Sequence, residues 1–274
     1  IPLRLVGSEM CIRDSYKGPH RDTGGPTFGF RTIPWIFFGL GLLFSALWPI
    51  FPQDRQDSLS LLLILFLFIA TTAHAFIWWG MAWAATFLVV SLGLSFSFLA
   101  INSATGFIFG DVQYTYRLGI QLFHVPFSST LIWSSVSYLG IVLSRRITRA
   151  VIMSPLTAAF ISLGLLLVVE SLFANAGYFQ WLPKPENYSI LGINPLQFQI
   201  VSFFILLSIM LLSSQNAKND RYSTKFPYLT YMWIFLFAVF CAQFLSKNIS
   251  AFLIPFLIMA YSIIVFAYKT IRER

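Results

Sequence analysis

Four ionisable side chains stand in or beside long apolar runs: His74, Asp111, His124 and Glu170. Ionisable groups are costly in hydrocarbon, so those that occur there are candidates for function. Glu170 ends the apolar run Ala158–Val169. A carboxyl group shielded from water favours its protonated form, and that form can hand a proton to an apolar substrate. The plain alternative is an interfacial glutamate one turn from solvent. Asp111 closes Thr105-Gly106-Phe107-Ile108-Phe109-Gly110-Asp111, where two glycines permit close backbone approach or a helix break. Its plain alternative is a tight loop with a solvated aspartate. His124 precedes Val125-Pro126 in the same layer; a hydrogen-bonded packing histidine is the commoner fate. His74 falls toward the opposite end of its run and is left out of the group. Thr105, Tyr114, Tyr116, Trp133, Tyr178, Trp181 and Tyr188 add hydroxyls and aromatic faces to the layer of Glu170. An interfacial aromatic belt accounts for part of them.

The elements that must position these residues are membrane-spanning helices. Of 274 residues, 57% are hydrophobic and 10% charged, against about 25% charged in an ordinary soluble domain. The apolar residues come in blocks near the roughly 20 needed to cross a bilayer as a helix. We read eight spans: Ile33–Phe51, Leu59–Trp79, Met81–Ile101, Leu118–Leu143 with Pro126 inside it, Val151–Phe173, Phe198–Leu212, Tyr228–Leu245 and Ala251–Tyr268. Backbone groups in lipid must be bonded internally, which makes helices the default; a barrel would need short segments of alternating polarity. The expected fold is therefore all-α, a polytopic integral membrane bundle of about eight helices with both termini cytoplasmic.

Charge supports that orientation. Cytoplasmic segments would hold Lys17, Arg21, Arg31, Arg145, Arg146, Arg149, Lys218, Arg221, Lys225, Lys269, Arg272 and Arg274. The other side would hold Arg55, Arg117, Lys184 and Lys247. Such a bias follows the positive-inside rule and requires an even number of spans. The same distribution turns the net charge of +8 away from nucleic acid as a partner. On this topology the loops Asn102–Arg117 and Ala174–Gln197 share the outer side and carry most of the polar and glycine-rich residues.

The first fifteen residues resemble a translated sequencing-adapter end, around Ser8-Glu9-Met10-Cys11-Ile12-Arg13-Asp14-Ser15, and are set aside. The remaining organisation is a cytoplasmic segment 16–32, one transmembrane domain 33–268 and a basic tail 269–274. Phosphate-cradling, dinucleotide, zinc-protease and nucleophile-elbow motifs are absent, as is an acidic motif for prenyl diphosphate through magnesium. The two cysteines form no metal or disulfide pattern, so no metal and no cofactor is expected.

Thr105-Gly106-Phe107-Ile108-Phe109-Gly110-Asp111-Val112-Gln113-Tyr114-Thr115 resembles the TGxxFGxYxYT pattern of the carotenoid biosynthesis protein family. Leu122-Phe123-His124-Val125-Pro126 and Trp133 follow as that family's GVP and downstream Trp. Glu170, Phe179-Gln180-Trp181 and Gly192-Ile193-Asn194-Pro195 then match its later acidic residue, WxW-like element and GxP turn. The resemblance covers roughly Phe87 to Phe203. Departures are Val112 for a Tyr, Leu99 for a Glu, Asn102 for a Gly and Phe179 for a Trp.

The family's named members are carotenoid 1,2-hydratases, of the bisanhydrobacterioruberin and γ-carotene 1′-hydratase types. The resemblance implies a multi-pass enzyme of the bacterial inner membrane, with membrane lipid and a hydrophobic carotenoid as partners and other carotenoid-pathway enzymes nearby. The implied hydro-lyase chemistry protonates the terminal C1–C2 double bond of an acyclic end group and adds water. Such a site needs an acid, a water path and aromatic faces for the cation. Glu170 and Asp111 are the acid and base candidates, with Tyr114 and His124 as relays. Thr105, Gly106, Phe109, Gly110, Trp133 and Trp181 would shape the substrate pocket. Two rival classes stay open: a transporter or non-catalytic lipid-binding protein using the glycine-broken Thr105–Gly110 segment as a discontinuous helix, and a membrane carotenoid cyclase.

Overall fold

The computed structural model describes residues 28–148, 150–182, 195–213, 224–245 and 250–272. Residues 1–27, with the adapter-like stretch and most of segment 16–32, lie outside the described residues, as do residues 273–274 of the tail.

The described residues form eight helices: α1 (Phe28–Leu47), α2 (Gln53–Trp79), α3 (Met81–Thr105), α4 (Phe127–Ile147), α5 (Met153–Asn175), α6 (Pro195–Ser213), α7 (Lys225–Leu245) and α8 (Ser250–Arg272). Seven are long and apolar enough to cross a membrane; in α6 the apolar stretch so counted is the shorter Ile200–Ser213. The chain is a polytopic helical membrane protein.

Helix α4 is the axis of the bundle. Some 94% of its apolar window is buried, against 22% for α1 and for α8. Several of its buried hydroxyls find partners locally or across helices. Ser135 Oγ donates to Leu131 O at 2.8 Å, and Ser134 and Ser91 hydroxyls meet at 2.8 Å. Ser162 on α5 donates to Val136 O at 3.0 Å. Gly140 lets α5 approach: a Cβ there would collide with Ser162 Oγ and stand 2.6 Å from Ala158 O. Small residues allowing close backbone contact are the usual device where helix faces lack a hydrophobic driving force.

The two ends of the bundle differ in charge. At one end Arg31 lies over Trp78 at 6.0 Å and Arg145 over Trp79 at 4.7 Å. Trp83 Nε1 donates to Ser213 O at 2.9 Å there, and Tyr228 stacks on Phe266 at 4.5 Å. The start of α1, the ends of α2, α4, α6 and α8 and the start of α7 thus share the basic end. Arg55 and Arg117 stand at the other, which gathers the junctions α1–α2, α3–α4 and α5–α6. Among the described residues the basic side chains divide between the two ends as the charge pattern expects.

The fourth span needs correction. It begins at Phe127, not Leu118, and Pro126 is its N-cap rather than an interior residue. The apolar residues between form a 3₁₀ turn (Tyr116–Leu118) and a hairpin of β2 (Gln121–Leu122) with β3 (Val125–Pro126). Gly119 at φ 84° breaks the chain path, and Phe123 and His124, at φ 51° and 62°, make the two-residue turn. Two positive φ values in sequence suit the right-handed twist of a tight hairpin.

Candidate active site

Helix α3 ends at Thr105 because Gly106 takes the left-handed conformation, φ 63°, and donates its N–H to Asn102 O at 2.7 Å. The chain then folds back over Asn102, which is 1% exposed. Asn102 Oδ1 accepts the N–H of Phe109 at 2.6 Å, and Nδ2 donates to Gly110 O at 3.1 Å. One amide therefore fixes the turn at two points and holds the buried Phe109 ring 6.4 Å from the Trp133 ring. Thr105 is exposed and occupied with the turn, its hydroxyl donating to Ile101 O and accepting from Phe107 N. No helix resumes after Gly106, so the segment is a helix end and not the discontinuous helix a transport site would use.

Strand β1 (Asp111–Tyr114) leaves this turn and pairs antiparallel with β4 (Phe179–Leu182), Asp111 opposite Leu182 and Tyr114 opposite Phe179. The ladder joins the α3–α4 and α5–α6 loops. Thr115 continues it, its N–H and hydroxyl both donating to Tyr178 O at 2.9 and 2.8 Å. Tyr114 is half-buried, 5.7 Å from the Phe179 ring. Burial raises its hydroxyl well above the ordinary tyrosine range, and the charge of Glu170 adds to the rise. Glu170 sits half-buried on α5, a turn and a half before Asn175. The Trp133 indole N–H, from the second turn of α4, is buried without a partner of regular geometry and lies within interaction range of the Glu170 carboxyl. An indole N–H is a donor only, so toward a carboxyl group it can do nothing but donate to an oxygen.

Beside this group lies a clasp. Arg117 donates to both carboxylate oxygens of Asp57, at 2.7 and 2.6 Å, and to Ala176 O at 2.8 Å. Its guanidinium stacks 4.8 Å above the Tyr178 ring. Tyr178 in turn donates to Ser60 Oγ at 3.0 Å, and Trp48 Nε1 donates to the same oxygen at 3.1 Å. Burial, ahead of the neighbouring charges, pushes Tyr178 up to about 12. The hydrogen bond to Asp57 raises Arg117 further above its ordinary value. Under the clasp is an apolar chamber of about 110 Å³ bounded by α2, α4, α5 and α7, with Ser60 and Tyr178 at its polar edge.

The structure therefore brings Glu170, Tyr114, Trp133 and Phe109 into one group. Gly106 and Gly110 shape the turn that carries Phe109. Asp111 is exposed at the start of β1, its carboxylate filling the space that a side chain on Gly106 would need. His124 is exposed at the hairpin tip. Trp181 has its backbone in β4 opposite Val112; its side chain, like Tyr188, lies outside the described residues. Leu99, where the family pattern has Glu, is a buried core residue. His74 is buried at the basic end, its Nδ1 2.5 Å from Tyr138 OH and its ring stacked on Phe226.

Two features escaped sequence reasoning. In the sequence Asn102 shows only as a departure from a pattern, yet it holds the turn. The Arg117–Asp57 pair joins residues sixty positions apart, with no local signal beyond an arginine on the side where few are expected.

A family model described as "Carotenoid biosynthesis protein" matches residues 59–262, well over half of the chain. No match was found among curated proteins or among solved structures.

Proposed function

Because this chain belongs to the carotenoid biosynthesis protein family, we propose that it is a membrane hydratase adding water to the terminal C1–C2 double bond of an acyclic carotenoid end group. What supports the reading is that Glu170 on α5 lies within electrostatic reach of Tyr114 on β1 and close to the Trp133 indole of α4, at one rim of the bundle.

The protonated Glu170 carboxyl gives its proton to C2; the π electrons form the new C–H bond and leave a tertiary cation at C1. The faces of Trp133 and Phe109 favour a cation beside them. Water attacks C1 through an oxygen lone pair, and the resulting oxonium loses a proton to a carboxylate, Asp111 in this reading, with Tyr114 and His124 as relays to solvent. Uptake of one proton restores Glu170, so the sum is alkene plus water giving a tertiary alcohol. Thr105, Gly106, Gly110 and Trp181 would shape the pocket rim. Neither a cofactor nor a metal enters any step. The partners in this reading are a hydrophobic carotenoid, membrane lipid and other enzymes of the pathway, and the site of action is the bacterial cell membrane.

One observation favours a second reading. The chamber, which Val169 and Phe173 line from either side of Glu170 in sequence, is apolar except for Ser60 and Tyr178. A cation formed where water is excluded would be trapped by an internal alkene, which is cyclase chemistry.

Expression in cells that make lycopene tests both. The hydratase yields a more polar pigment heavier by one water; a cyclase yields an isomer of unchanged mass. Unaltered pigment despite good membrane expression would overturn both readings.

A further inference from the structure

The chamber under the clasp is walled by Trp48, Leu63, Ile132, Val169, Phe173 and Phe237, among others. Its two polar oxygens are already engaged, Ser60 by Trp48, Tyr178 and its own donation to Gln56 O, and Tyr178 by Ser60. It therefore asks nothing of an occupant but apolar surface. An apolar cavity of about 150 Å³ stays dry and takes one benzene-sized guest. At about 110 Å³, this chamber has room for the branched tip of a hydrocarbon and not for its length.

The length has somewhere to go. A second apolar space of about 520 Å³ runs between α1 and α7, walled by Leu42, Ser45, Leu229, Leu236 and Phe240. Leu42, Leu229, Leu236 and Phe240 are exposed on the outer surface of the bundle, where lipid would lie. The two spaces share a wall, since Trp233 and Phe237 line both. Trp233 is held there by donating Nε1 to Ser45 Oγ at 3.1 Å, and its indole occupies the room that Gly41 leaves on α1. Glu170 stands on the adjoining face of α5, one residue after Val169 and one turn before Phe173.

We propose that the chamber seats the terminal five-carbon unit of a long isoprenoid hydrocarbon, which reaches it from lipid through the α1–α7 groove past Trp233 and Phe237. This rests on the proposed substrate class and adds the route and the seat. The occupant is an isoprenoid rather than a phospholipid because the chamber is small and walled by Trp48, Phe173, Tyr178, Trp233 and Phe237, and its two polar oxygens are already engaged, which leaves nothing to hold a headgroup.

The test uses the full chain in nanodiscs, with lycopene as the probe. Quenching of tryptophan fluorescence reads occupancy, since Trp48 and Trp233 line the chamber. Leu63→Trp fills the chamber and should weaken binding by about tenfold or more. Gly41→Ala is the milder second variant, because its methyl would stand 2.8 Å from the Trp233 indole and displace it; binding should weaken by about threefold. Thermal unfolding of each variant identifies any that fails to fold. Binding equal to the parent in both chamber variants would overturn the proposal, as would phospholipid saturating the site so that added lycopene quenches nothing. Normal binding with no altered pigment would instead count against the chemistry and leave the seat intact.

Discussion

Asn102 Oδ1 accepts the Phe109 N–H at 2.6 Å while its Nδ2 reaches Gly110 O, so a single buried amide anchors two consecutive residues of the turn that follows α3. Asn102→Ala leaves a buried donor and a buried acceptor unpaired, at a cost of about 1–3 kcal/mol for such a group. Thermal unfolding in detergent should show that loss. Pigment conversion should fall with it, because Phe109 then loosens against Trp133. An unchanged melting temperature would refute the role given to Asn102.

Glu170→Gln keeps shape and hydrogen bonding but removes the transferable proton. General acid–base groups contribute about 10²–10⁴-fold, and conversion should fall by at least the lower figure. Asp111→Asn should cost less, because an exposed base can be replaced by solvent. Both variants should unfold near the parent temperature. If Glu170→Gln still converts pigment, the acid lies elsewhere.

Gly106→Ala meets two obstacles, the Asp111 carboxylate and a φ of 63°. The left-handed conformation alone costs about 1–2 kcal/mol for a residue with a Cβ. Removing the collision with Asp111→Ala should recover part of the loss and leave the conformational part. A double-mutant cycle of unfolding free energies measures the split; full additivity would mean that the two side chains never compete for space.

The clasp is bidentate and half-shielded, with Arg117 33% and Asp57 21% exposed. Arg117→Lys loses the fork geometry and the bond to Ala176 O. Exposed pairs contribute about 0.2–1 kcal/mol, and the carbonyl bond adds to that, so a loss near the upper end is expected in thermal unfolding. High salt should shrink the difference between Arg117→Lys and the parent, since the pair is partly in water.

Alkaline titration separates the buried phenols. Tyr114 and Tyr178 have raised values in the folded protein, about 12 for Tyr178. A raised value means the folded state holds its proton longer than the unfolded chain does. The contribution to stability is fully present below the usual value of about 10 and is lost as pH climbs through the folded value. Phenolate absorbance should therefore include a fraction that resists ionisation to about pH 12, and Tyr178→Phe should reduce that fraction. Complete ionisation of Tyr178 by pH 11 would contradict its burial.

The helices were legible because a chain in lipid has no other way to satisfy its backbone, and their apolar runs mark them plainly. The charge bias likewise separated the two ends. What could not be read was anything made between distant segments. Residues 111–114 and 179–182 form a ladder that neither announces alone, being short, mixed in polarity and flanked by glycine. The fourth span reads longer in the sequence than it is because Leu118, Ile120, Leu122 and Phe123 supply apolar character without helical continuity. Glu170 stood out as an acid at the end of a greasy run. That Trp133 faces it depends on how α4 turns against α5, which the interlocked Gly140 and Ser162 set and spacing along the chain does not reveal.

The β1–β4 ladder also dates the assembly of the rim. As the chain leaves the ribosome, β1 emerges after three helices and must wait for α4, α5 and then residues 179–182 before it finds its partner. Until then the Asp111–Tyr114 edge stands open, although the Asn102 turn before it is already closed by its own bonds. The acidic side chain thus arrives with the last piece of its own housing, and no partial product of synthesis carries a finished rim.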